Sequence, residues 1–390
     1  MNRERMRELA QKVSTPSFVF DTDRFASCAA EIKAALGDIP LCFSIKANPF
    51  LLAALPDCIS KVEVCSPGEL AICKALRIDP KKIIYSGVNK GEEDILDAID
   101  YGADILTAES VRHVSLIRRS AALRGTRVRT ILRLSGGNQF GMDEKDIEQI
   151  LAVRDAYSEL EILGFHYYTG TQKKKTKVIE KDVETFRSFI RRMENDYGFH
   201  PTHVEYGPGL AAEYFDPPLE EKDRELLTYT ARLLQDFAAE YPLTVEMGRF
   251  LAASCGLYFT RVEDLKTTDG THYAICDGGI NHLKYYGQMM AMQTPPIYVL
   301  KDADKKETYT LSGSLCTTAD LLVRSVELPA LEIGDVLVFD RCGAYTVTEG
   351  IGLFLSRTLP RIALYSVRGG LQIVRGTVES HPLNTPSFPE

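Results

Sequence analysis

The chain reads as an α/β protein: a (β/α)8 TIM-type barrel followed by a C-terminal antiparallel β domain. Three features of the sequence carry that reading. Short apolar, β-rich runs alternate with longer amphipathic segments as far as about residue 255. Beyond that point strand-like runs succeed one another with no long helical period. The 390 residues, 45% of them hydrophobic, suffice for two units that each bury a core.

Taken in order, FVFD (18–21), LCFSIK (41–46), KVEVCS (61–66), KIIYSG (82–87), ILTAES (105–110), RTILRL (129–134), ILGFHYY (162–168), HVEYGPG (203–209) and TVEMGR (244–249) have strand character, and most end in Gly, Ser or Asn. Between them GELAICKALR, EDILDAIDYG, VRHVSLIRRSAALRG, KDIEQILAVRDAY, VETFRSFIRRMENDYG and DRELLTYTARLLQDFAAEY place apolar residues at three- and four-residue steps, the period of an amphipathic helix. About eight β-α units in succession suit a closed barrel, with an open doubly wound sheet as the alternative. LYFTRVEDL, THYAICDGG, ETYTLSGSL, DVLVFDR and LQIVRGTV then suit a β domain. The expected boundaries are 15–255 for the barrel and 256–380 for the β domain, with residues 1–14 an N-terminal helix joining the latter.

The net charge of -8 offers no basic bias for a polyphosphate backbone, so no nucleic-acid partner is expected. Nine cysteines form no CxxC pair and no Cys/His grouping with metal-ligand spacing, which suits a reduced, cytoplasmic protein with no metal site. The N-terminal MNRERMRELAQKV lacks an apolar signal core, and no run of 18 apolar residues follows it, so no membrane partner is expected.

Candidate chemistry begins at FSIKANP (43–49), where Lys46 sits in an apolar run that stops at Asn48-Pro49. At the C-terminal end of a barrel strand a desolvated amine becomes a nucleophile able to form a Schiff base with a carbonyl ligand such as pyridoxal phosphate. A lysine snorkelling at a strand end fits the heptapeptide equally well. In EMGR, Glu246 offers a carboxylate for a pyridinium and Arg249 a guanidinium for phosphate, although a structural ion pair has the same signature. Gly207-Pro208-Gly209 could turn backbone amides toward a phosphate, with Pro208 contributing none. As a motif it equally marks a plain turn.

TPSFVFD (15–21), FSIKANP (43–49), EVCSPGEL (63–70), GFHYYTGTQ (164–172), EYGPGL (205–210), EMGRF (246–250), DGGINHL (277–283), GSLCTTAD (313–320) and GAYT (343–346) stand in the order found in fold-type III pyridoxal-phosphate decarboxylases. The chain resembles the alanine racemase-like group that contains diaminopimelate, ornithine and arginine decarboxylases. The resemblance implies that Lys46 carries the cofactor and that Glu246 pairs with its pyridinium nitrogen. Gly207, Gly209, Arg249 and Tyr345 would hold its phosphate. Cys316, with Asp320 nearby, would cross into the active site of a homodimer partner and deliver a proton to the product carbon. Taken by itself, Cys316 reads as a small buried hydrophobe. Glu63, Glu69 and Arg133 match charges that brace the cofactor site in relatives, Glu63 standing where aspartate is commoner.

Departures from that pattern bear on substrate. The position whose histidine packs on the cofactor ring is Tyr168, which can stack but carries no charge, and His166 precedes it by two residues on the same strand face. His166 can equally be a core histidine. Thr317 stands directly after Cys316, where relatives that read a distal ammonium have Asp or Glu. Lys284-Tyr285-Tyr286 replaces an Arg-Pro pair and tyrosine that hold a distal carboxylate, and a lysine cannot make the bidentate fork. With Thr317, Lys284 and Tyr285 as substrate-contacting residues, the chain resembles the branch acting on modified, citryl-conjugated or carrier-protein-linked amino acids. The run Lys173-Lys174-Lys175-Thr176-Lys177 is either a solvated loop or a contact for an acidic carrier. The expected activity is decarboxylation of such a small amino-acid substrate. A racemase of the same fold, or a decarboxylase of free diaminopimelate or a basic amino acid, is the alternative.

Overall fold

The computed structural model describes residues 1–302 and 305–387. The chain forms two compact units, one of Ser27–Ala212 with Glu220–Leu251 and one of Met1–Ala26, Glu213–Leu219 and Ala252–Glu390.

Strand β1 (Ser17–Asp21) belongs to the second unit. The next eight, β2 (Leu41–Ser44), β3 (Lys61–Val64), β4 (Ile83–Tyr85), β5 (Ile105–Ala108), β6 (Val128–Leu134), β7 (Leu160–Tyr167), β8 (His203–Tyr206) and β9 (Leu243–Met247), close into a parallel barrel, with β9 pairing back onto β2. Side-chain alternation divides the barrel interior into layers. Cys42, Ile84, Ile105, Ile131 and Leu163 form an apolar layer. Two residues further along their strands, Ser44, Ser86, Thr107 and Arg133 begin a polar one, which places charged chemistry at the C-terminal ends.

The helices around the barrel follow from local sequence. Ser66 and Ser110 accept the backbone N–H of Glu69 (3.2 Å) and His113 (3.1 Å), capping the helices that follow β3 and β5. The helix Thr176–Tyr197 buries Ile179, Val183, Phe186, Phe189, Ile190 and Met193 along one stripe and stops at Gly198, whose φ of 56° suits a residue without Cβ. Phe186 is 1% exposed, and burial of such a side chain contributes roughly 1.5–3 kcal/mol.

In the second unit a nine-stranded sheet contains β1 together with β10 (Gly256–Thr268), β11 (Thr271–Cys276), β12 (Ile297–Val299), β13 (Lys306–Ser312), β14 (Leu321–Pro329), β15 (Val336–Phe339), β16 (Arg361–Ser366) and β17 (Gly370–Arg375). Its order is β14-β13-β11-β10-β1-β16-β17, with β15 also on β10 and β12 on β15. The helix Arg3–Lys12 packs Met6 and Leu9 on Val19, Leu257, Phe259 and Val338 of this sheet.

Two expectations need correction. FVFD precedes a helix, Thr22–Leu36, and so looks like a barrel βα unit, yet it pairs antiparallel with β10 and parallel with β16. Strand character is local, whereas the choice of sheet is made by distant partners. The sheet is also mixed and not purely antiparallel, since β11 and β13 form a second parallel pair.

Candidate active site

Strand β2 ends at Ser44, and Lys46 lies in the single 3-10 turn Ile45–Ala47 that follows. Asn48 then accepts the Phe50 N–H (3.1 Å), so the chain turns away directly after the lysine. Lys46 Nζ donates to Glu63 Oε2 at 2.6 Å and to Cys65 Sγ at 3.5 Å, and lies 3.6 Å from Glu246 Oε1. Its side chain is 37% exposed against 2% for Glu63. Two carboxylates neutralise this ammonium, where the sequence led us to expect an amine stripped of solvent.

Glu246 is buried beneath it. Ser44 Oγ donates to its Oε1 (2.7 Å), and His166 Nε2 lies 3.1 Å from its Oε2. Burial alone would raise this carboxyl, but Lys46, His166 and Ser44 together hold it well below the usual carboxylate range. The acid under the lysine is therefore ionised. Glu205, which pairs with His166 in the β7–β8 register, behaves in the opposite way: burial and then the charges of Glu246 and Glu63 push its carboxyl well up. His166 is thus placed to fix Glu246.

Further round the mouth, Glu69 Oε2 accepts the Cys65 N–H at 2.6 Å, and Arg133 Nη1 donates to Glu109 Oε1 at 2.9 Å. Lys90, 3% exposed, donates to the Gly87 carbonyl, and burial pulls its ammonium down to about 8. Sequence reasoning passed over Lys90, Glu109 and Glu205. A lone lysine after SGVN carries no motif, and Glu205 was read only as part of the strand HVEYGPG.

At the β7 and β8 ends the backbone decides the shape. A Cβ on Gly209, whose φ is +61°, would lie 1.9 Å from the Gly170 carbonyl oxygen. A Cβ on Gly207 would lie 2.6 Å from Tyr168 Cδ2, so this glycine makes room for the tyrosine. The Gly207 N–H is bonded to the Tyr167 carbonyl (3.1 Å), which corrects the expectation that it turns toward a phosphate. Arg249 is buried, and its Nε donates to Thr171 Oγ1 at 3.3 Å. Lys173 departs from its expected place among solvated lysines, being 9% exposed and bound to Asp182 at 2.5 Å.

In the sheet unit Cys316 is exposed, with Thr317 beside it in the turn between β13 and β14. Asp320, expected to be catalytic, is 3% exposed and accepts two main-chain N–H groups, Ile280 at 2.8 Å and Leu315 at 2.6 Å. It ties the Cys316 turn to the DGGINHL loop. Tyr345 adopts a left-handed φ of 64° ahead of the helix Thr346–Glu349. Lys284 Nζ lies 3.6 Å from Glu349. Tyr285, expected to meet substrate, is 4% exposed and donates its hydroxyl to the Asp340 carbonyl at 2.6 Å. Tyr286, 45% exposed, is the neighbour that reaches the surface.

Residues 23–253 match the pyridoxal-dependent decarboxylases over their pyridoxal binding domain. The chain belongs to that family. It is a carboxy-lyase, and pyridoxal phosphate is its cofactor. A diaminopimelate decarboxylase of Aquifex aeolicus is 25% identical over 367 residues, which cover 87% of this chain and 84% of the relative. An L-glutamyl-[BtrI acyl-carrier protein] decarboxylase of Niallia circulans is 28% identical over 399 residues, covering 94% and 92%. The crystal structure of a diaminopimelate decarboxylase from M. jannaschii with L-lysine has the same fold, with a TM-score of 0.85 at 23% identity over 98% of this chain and 94% of that one. The residues of the decarboxylase fit its cofactor: an amine between carboxylates, an ionised acid beneath it, a buried guanidinium, and a glycine turn with no room for a side chain. No helix among the described residues is long and apolar enough to cross a membrane. Among those residues no cluster of His, Cys, Asp or Glu could hold a metal ion.

Proposed function

We propose that the enzyme decarboxylates a modified or carrier-tethered α-amino acid, using Lys46 to hold the cofactor. The observation that carries this reading is the contact of Lys46 with Glu63 and Glu246 at the C-terminal mouth of a closed barrel. When bound, pyridoxal phosphate supplies an aldehyde for covalent attachment and a ring that accepts the electron pair left behind as carbon dioxide departs. Glu246, ionised and fixed by Ser44 and His166, keeps the ring nitrogen protonated. Tyr168 covers the ring face. Gly209 and Arg249 hold the phosphate. Asp320 holds the turn that carries Cys316, and in a homodimer the thiol of a second copy gives its proton to the α-carbon. The protein's task would be to orient the substrate for loss of its carboxylate and to exclude stray proton donors.

Thr317 supports the substrate class, since it offers no carboxylate to a free distal amine, and so does Lys284, which presents a point charge already close to Glu349. The relative that acts on an L-glutamyl carrier conjugate shares the larger part of both chains. Lys174, Lys175 and Lys177 are exposed in and just after the β7 loop, a basic surface suited to an acidic carrier. Free diaminopimelate is the second reading, favoured by the Aquifex relative. Carbon dioxide release and product mass, measured on free diaminopimelate, a citryl conjugate and an aminoacyl carrier protein, separate the two. Turnover of the conjugated substrates at a kcat/KM at least ~100-fold higher supports the proposal; preference for free diaminopimelate ends it.

A further inference from the structure

The segment that follows β7 is fixed to a degree that the chemistry described so far does not use. A single carboxylate, Asp182 on the helix Thr176–Tyr197, accepts from Thr169 Oγ1 at 2.7 Å and from Lys173 Nζ at 2.5 Å, so it ties both ends of the loop that begins at Tyr168. The loop is also zipped to the turn after β8. Lys173 N–H donates to the Gly209 carbonyl (2.9 Å), and Ala211 N–H donates to the Lys173 carbonyl (3.3 Å). Gln172, with a left-handed φ of 57°, exchanges two hydrogen bonds with the Ala212 backbone, at 3.1 and 2.7 Å. The product of this framework is a buried ammonium lying 6.0 Å from the ring centroid of Tyr168 and 5.9 Å from that of Tyr206.

We propose that Lys173, held by Asp182, is a positioning residue for Tyr168: it fixes the tyrosine ring for contact with the cofactor and lays a positive charge against it. The inference rests on the reading of Tyr168 as the residue that covers the cofactor ring. Tyr168 brings no charge of its own, because burial, and then the charge of Glu246, raises its phenol. An ammonium against an aromatic face is attracted by the ring's quadrupole and draws on its electron density, and the effect grows when water is excluded. Burial pulls the Lys173 ammonium down, while the hydrogen bond and charge of Asp182 oppose that pull. The pair therefore has a division of labour: Asp182 retains the charge, and Lys173 applies it to the ring.

The test is a double-mutant cycle on the affinity of the apoprotein for pyridoxal phosphate, read by absorbance titration, with melting temperature recorded for each protein. Lys173→Met should raise the cofactor Kd about tenfold, and Lys173→Arg should restore most of the loss. In a Tyr168→Ala background the same Lys173→Met change should alter Kd less than about twofold, because the ring it acts through has gone. An equal loss in both backgrounds, or none in the wild-type background, overturns the proposal. Tyr168→Ala with wild-type affinity instead refutes the placement of Tyr168 on the cofactor, a failure distinguishable from the first. If Lys173→Met does not fold, Asp182→Asn is measured in the same cycle against the same two outcomes.

Discussion

Asp320→Asn isolates what holds the Cys316 turn in place. The carboxylate accepts Ile280 N–H at 2.8 Å and Leu315 N–H at 2.6 Å, and Cβ atoms on Gly279 or Gly313 would come within 2.4 and 2.3 Å of it. There is no slack for the side chain to turn. Asparagine keeps the shape but sets an amide donor against one of two main-chain donors, which forfeits a charge-assisted bond and leaves a buried N–H unmet. Each such bond is worth ~1.5–3 kcal/mol, so the turn should open more easily by about 2–3 kcal/mol, a factor of roughly 30–150. Hydrogen exchange at Gly313–Leu321 reads this directly, and kcat should fall with it as Cys316 loses its fixed position. If exchange there is unchanged while turnover collapses, Asp320 acts on the chemistry itself and the positioning argument is wrong.

Lys90 is a buried base whose folded value, about 8, lies below its ordinary 10.5, so its burial penalty is full below pH 8 and disappears as pH rises through 10.5. The Lys90 contribution to stability should gain with pH across that window by up to ~3 kcal/mol, against the loss from buried thiols and phenols such as Cys42, Cys342 and Tyr258, which burial pushes up. In urea-denaturation profiles the advantage of Lys90→Met over wild type should therefore shrink by that amount between pH 8 and 10.5; a pH-independent difference refutes it. Gly209→Ala combines a φ of +61° with a Cβ 1.9 Å from the Gly170 carbonyl, so the loops must part and cofactor affinity should drop at least ~100-fold in absorbance titration. Cys316→Ala should slow or misdirect protonation at the product carbon, with decarboxylative transamination detectable by mass spectrometry of products. Wild-type products at wild-type rate would remove the thiol from the mechanism.

Much of the barrel and its mouth could be read in advance because the signals were local. The Asn48-Pro49 stop placed Lys46 at a strand end, and EMGR brought Glu246 and Arg249 there together. What escaped depended on distant partners. FVFD has the composition of a barrel strand, and only β10 and β16 make it part of the other sheet. Lys173 sits among lysines, and its burial is decided by Asp182, nine residues later on a helix. Tyr285 and Tyr286 are adjacent in a loop with no period to say which turns inward. Asp320 entered the chemistry only through the family resemblance, whereas its oxygens accept main-chain N–H groups of two separate loops. Gly207 shows the same limit: the motif was visible, but its amide's partner, the Tyr167 carbonyl, was not.

The central claim is that the amine at position 46 is where the cofactor attaches. Borohydride reduction of the pyridoxal-phosphate-loaded enzyme, followed by peptide mapping, tests it without reference to substrate. The account predicts a reduced pyridoxyl adduct on Lys46, absent from Lys46→Ala. An adduct on Lys90 or another lysine in the wild-type protein, with Lys46 unmodified, would contradict it.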